Sequence, residues 1–141
     1  MAITPKPGLE AYRPPTAIKL ALLWAALMFL YIYNDYFSLY VPGTIADMTA
    51  GRLGPLGHAS PQVLIGVSMM LAIPSLMIFL SVALPPVVSR WLNVVLGLAY
   101  TAIEGMTFVG SLPFYQIIVG FEIVLTLLVV WYAVKWPRSA G

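Results

Sequence analysis

Phe114–Trp136 reads FYQIIVGFEIVLTLLVVWYAVKW, an apolar run holding one acid, Glu122, and one base, Lys135, near its close. A helix that crosses a bilayer needs about 20 mostly apolar residues, each rising about 1.5 Å. This run meets that length. Its closing Trp131, Lys135 and Trp136 are the aromatic and basic residues that favour a membrane–water interface. Three further runs of the same kind precede it: Ala17–Tyr40, Gln62–Leu84 and Trp91–Leu112. The sequence therefore predicts an all-α fold, an integral membrane four-helix bundle over residues 17–137, with residues 1–16 as a flexible cytoplasmic N-terminal arm.

Turn chemistry separates the spans. Val41-Pro42-Gly43 ends the first, Leu84-Pro85-Pro86 the second, and Leu112-Pro113 joins the third to the fourth. One long connection, Pro42–Pro61, is rich in glycine and proline and carries Asp47, Arg52 and His58. Pro74, inside the second span, predicts a kink there; a kink frees backbone carbonyls that neighbouring helices, hydroxyls or water must satisfy.

Composition excludes several functions. Charged residues make up 9% of the 141 positions, where soluble domains carry about 25%, and the mean hydropathy is +0.94. The chain has no cysteine, hence no thiolate metal site, and its single histidine, His58, lies between spans. No metal set, cofactor or catalytic group is expected. A formal charge of +2 is too small and dispersed for nucleic-acid binding.

The charges speak instead to orientation. With the N-terminus in the cytoplasm, Lys6, Arg13, Lys19, Arg90, Lys135 and Arg138 fall inside and Arg52 outside, so the positive-inside rule puts both termini in the cytoplasm. Trp24, Trp91, Trp131 and Trp136 are then expected toward the inner interface, and Tyr36, Tyr40 and Tyr115 toward the outer one.

Asp35, Glu104 and Glu122 lie within the spans with no lysine or arginine beside them. An ionised acid at a helix centre costs about 2.5–3.5 kcal/mol on insertion scales. Counting along the helices puts Asp35 about 8 Å, Glu104 about 12 Å and Glu122 about 12–13 Å from the outer ends of their spans. All three belong to the outer half, as a candidate proton or cation site. Polar neighbours share their helix faces: Tyr31, Asn34 and Ser38 with Asp35; Asn93, Gly97, Tyr100, Thr101 and Thr107 with Glu104; Tyr115 and Thr126 with Glu122. The spacing also predicts local pairs four residues apart, Tyr31 with Asp35, Tyr100 with Glu104 and Glu122 with Thr126. Under a structural reading, protonated carboxyls simply bond neighbouring helices together. Asn93, near the inner end, is expected to cap or pack. Met69, Met70 and Met77 are expected to face lipid or fill gaps rather than bind copper.

Residues 18–137 resemble a prokaryotic family of small four-span membrane proteins named only as a domain of unknown function. The stretches that carry the resemblance are Leu23-Trp24 leading to Asn34-Asp35, Val41-Pro42-Gly43, IPSLMIFLS over Ile73–Ser81, Arg90-Trp91-Leu92-Asn93, and WYAVKW over Trp131–Trp136. The resemblance implies a four-helix domain in a prokaryotic inner membrane and supplies no activity. Small multidrug-resistance transporters also have four short spans and a membrane glutamate, but theirs is in the first span and their later spans do not match.

Two functions follow as expectations. One is a proton- or cation-coupled transporter using Asp35, Glu104 and Glu122; four helices barely enclose a pathway, so a homodimer would form it. The other is an accessory or assembly protein whose acids hold helices or a membrane partner. An enzyme is the weaker class, because the chain has no serine–histidine pair, clustered histidines or phosphate-cradling glycine loop.

Overall fold

A computed structural model of the chain describes residues 8–139. Residues 8–15 form no helix, and the rest of the expected arm, residues 1–7 with Lys6, lies outside the described residues. Four long helices follow: α1 (Thr16–Ser38), α3 (Pro61–Ala83), α4 (Pro86–Phe108) and α5 (Pro113–Val134). Each is long and apolar enough to cross a membrane. A short helix, α2 (Thr44–Thr49), and one 3-10 turn (Gly54–Leu56) occupy the long connection. The described residues form an all-helical bundle with no strand.

Proline sets most of the helix starts. Pro61, Pro86 and Pro113 stand at the first helical position of their helices, where a missing N–H costs nothing and the fixed φ suits the helix. Pro61 is preceded by an N-cap, Ser60, whose Oγ accepts from the Val63 N–H at 3.3 Å. These starts revise the third span, which runs Pro86–Phe108 rather than 91–112. The second proline of Leu84-Pro85-Pro86 opens α4 instead of closing a turn. The helix then stops early, because Val109 is extended and Gly110 adopts φ +80°.

The bundle packs unevenly. α1 lies along α3 and α5, and α5 along α4, whereas α3 meets α4 and α1 meets α4 only over short stretches. Gly97 brings α4 close to α5: a Cβ there would stand 2.7 Å from Val130 Cγ2 and 3.3 Å from the Thr126 carbonyl oxygen. Leu20, Trp24, Leu27, Met77, Tyr100, Val129 and Ala133 form the core, with Trp24 and Tyr100 edge to face at 5.9 Å. Leu22, Phe29, Val95, Leu98, Phe121 and Leu127 point outward, an apolar belt suited to lipid.

Pro74 sits inside α3, which continues helical through it. A proline cannot donate to the carbonyl four residues earlier, here that of Met70. The Tyr100 hydroxyl on α4 donates to that carbonyl at 2.5 Å. A neighbouring helix thus supplies the donor that α3 lacks.

Trp24 is not an interfacial residue. It is fully buried, and its Nε1 donates to Asn93 Oδ1 at 2.7 Å. Asn93 also donates through Nδ2 to the Ser89 carbonyl at 2.8 Å, and Ser81 Oγ lies 3.3 Å from its Oδ1. The polar cluster of Trp24, Ser81, Ser89 and Asn93 joins α1, α3 and α4 at one end of the bundle. At that same end, the Arg90 guanidinium donates to the Val134 carbonyl, Lys19 lies over Tyr132, and Lys135 over Trp131.

Candidate functional site

The opposite end of the bundle holds a cavity of about 770 Å³. Asp35, Glu104 and Glu122 all line it, together with Tyr31, Asn34, Tyr100 and Tyr115. Four helices contribute: the last turns of α1, the first half of α3, the last half of α4 and the first half of α5. The long connection contributes as well, through Asp47, Arg52 and Leu53–Leu56.

Glu104 is the most constrained of the acids. It is 2% exposed and accepts from α1 and α5 together: Tyr31 Oη donates to Oε1 at 2.6 Å, and Thr126 Oγ1 donates to Oε2 at 2.8 Å. Thr101 Oγ1 lies 2.8 Å from Thr126 Oγ1 and extends the chain back to α4. None of the three expected local side-chain pairs is made. Tyr31 binds Glu104 rather than Asp35, Tyr100 binds the Met70 carbonyl rather than Glu104, and Thr126 meets Glu122 only at its backbone oxygen.

Glu122 and Asn34 are buried as deeply, at 3% and 2% exposure, and stand beside each other. Among the described residues, Glu122 Oε1 and Asn34 Oδ1 have no hydrogen-bond partner. Buried polar atoms without partners are rare in native proteins, and each calls for an explanation. Asp35, by contrast, is exposed at the cavity wall.

The sequence marks the connection as a glycine- and proline-rich loop and gives no sign of its part in the cavity. Arg52 reaches Asp47 Oδ1 from Nε at 3.0 Å and from Nη2 at 2.5 Å, closing α2 onto the reversal between residues 51 and 59. The Asp47 carboxylate is therefore engaged by Arg52, and His58 lies against Gly51. Gly43, Gly51, Gly54 and Gly57 all have positive φ, which is what lets so short a segment fold back on itself. The alternation of glycine with Asp47 and Arg52 was visible; what it covered was not. The Trp24–Asn93 cluster also escaped sequence reading, although Ser81, Ser89 and Asn93 are inward polar residues in otherwise apolar helices.

No curated protein and no solved structure matches the chain. A family model does, over residues 14–140, and four apolar helices fit a small four-span membrane protein. The chain belongs to DUF6326, a family of unknown function.

Proposed function

We propose that this protein is a proton- or cation-coupled transporter in which Asp35, Glu104 and Glu122 alternately hold a proton and a cation. The observation that carries the reading is one cavity lined by three span carboxylates and by no span lysine or arginine. Arg52, its one basic lining residue, is already bound to Asp47. Ionisable groups within membrane spans are costly and mark ion or proton pathways by default.

The proposal includes an orientation. Arg13, Lys19, Arg90, Lys135 and Arg138 belong to the bundle end away from the cavity, which supports an N-in, C-in insertion with the cavity facing outward. It also includes a domain division, with residues 1–16 as a cytoplasmic arm and 17–137 as the membrane domain, and placement in the inner membrane of a prokaryote. A homodimer would complete the pathway.

A second reading has its own support. Glu104 accepts hydrogen bonds from α1 and α5 at once, which is what an acid serving as a helix tie would do in an accessory protein. Thermal stability in detergent decides between them, measured with inorganic and organic cations for wild type, Glu104→Gln and Glu122→Gln. Saturable stabilisation by a cation, lost in either variant, is expected for a transporter. Cation-independent melting in all three proteins would leave the accessory reading.

A further inference from the structure

We propose that the Asn34–Glu122 end of the cavity is a subsite for an organic ammonium ion bearing N–H groups, a protonated primary or secondary amine whose apolar body extends toward the connection between α1 and α3. The inference rests on the cation reading above and names the class of cation.

Asn34 Oδ1 can only accept, as can Glu122 Oε1 when the carboxyl is ionised, and both are buried without a partner among the described residues. Four of the hydroxyls nearby are committed elsewhere, and Tyr115 Oη, on the cavity wall, bonds neither oxygen. Tyr31 and Thr126 donate to Glu104, Tyr100 to the Met70 carbonyl, and Ser38 to the Asn34 carbonyl at 2.8 Å. An occupant of the cavity can supply the donors that both oxygens lack. It can supply a positive charge as well, because the guanidinium of Arg52 is held by Asp47. An ammonium with two N–H bonds meets both needs through one atom.

The remaining space sets the size. About 770 Å³ falls within the range of sites for drug-sized molecules, roughly 300–1,000 Å³, and far exceeds a bare metal ion. Val67, Met70, Leu71 and Ile103 give apolar walls, and the rings of Tyr100 and Tyr115 suit a cation near an aromatic face. A quaternary ammonium of the same size would fit the walls and leave both oxygens without donors.

The test uses the full chain in detergent micelles, with thermal stability titrated against hexylammonium, hexyltrimethylammonium, sodium and potassium. Hexylammonium is expected to stabilise saturably, with a half-saturating concentration at least about tenfold below that of hexyltrimethylammonium, the order expected when a buried polar site loses its partner. Asn34→Leu and Glu122→Gln should each lose that preference, and Asn34→Asp, which keeps an acceptor in place, should retain it. If Asn34→Leu does not fold, the other two variants still decide. Equal affinity for the two organic ions, or a response to sodium or potassium alone, would overturn the ammonium subsite and leave the cation reading standing. No response to any cation would overturn both.

Discussion

At the scale of single residues, the acids differ in what surrounds them, and each difference is measurable. Glu104 has two donors on two other helices, so removing one leaves a buried acceptor short. Tyr31→Phe should cost about 1–3 kcal/mol, read as a lower melting temperature in detergent. Its effect should shrink in a Glu104→Leu background, because the two residues share one bond. Tyr100 makes a sharper case. Its hydroxyl serves a carbonyl that is free because residue 74 is proline. Tyr100→Phe should destabilise wild type by about 1–3 kcal/mol, yet cost far less when combined with Pro74→Ala, whose restored N–H can bond the Met70 carbonyl. A double-mutant cycle showing full additivity would refute that account. The sequence told that Pro74 would free a carbonyl and that Tyr100 shared a helix face with Glu104. It did not tell that the two meet, because the contact depends on how far α4 stands from α3.

At the scale of elements, the closest helix pair depends on one missing side chain. Gly97 lets α4 approach Val130 and the Thr126 backbone on α5. Gly97→Val should force these helices apart and destabilise by about 1–3 kcal/mol, the usual cost of overpacking. Gly105→Ala, on the same helix with nothing within 4 Å of the added methyl, should be close to neutral. Span number and type were legible, because a run such as Phe114–Trp136 is too long and too apolar for another reading. Span edges were less so, since Pro86 serves a helix start as readily as a turn. Of the candidate site, the acids and their polar neighbours were visible as helix faces. The pairings were not, because a helical face says which way a side chain points and not which helix it meets. Thr126 illustrates this: it shares a face with Glu122 and serves the carboxylate of Glu104.

At the scale of the whole molecule, charge divides the bundle into a basic end and an acid-lined cavity end. The proposed orientation can be read directly, since the chain has no cysteine to compete with an introduced one. In intact cells, Arg52→Cys should react with a membrane-impermeant maleimide, whereas Arg138→Cys should react only after permeabilisation. The reverse pattern would invert the proposed insertion and put the cavity on the cytoplasmic side.

The cluster around Trp24 and Asn93 has a consequence for kinetics. Leu20, Trp24, Leu27 and Asn93 are all 0% exposed, and they fill the bundle at the end away from the cavity. Among the described residues, the cavity is therefore closed at that end by packed side chains. If the protein transports as proposed, a solute leaving the cavity inward must wait for packed helices to part, within one protomer or between two, so flux would come one occupant per conformational cycle, saturating with concentration and steep in temperature. Single-channel conductance steps in a planar bilayer should be absent.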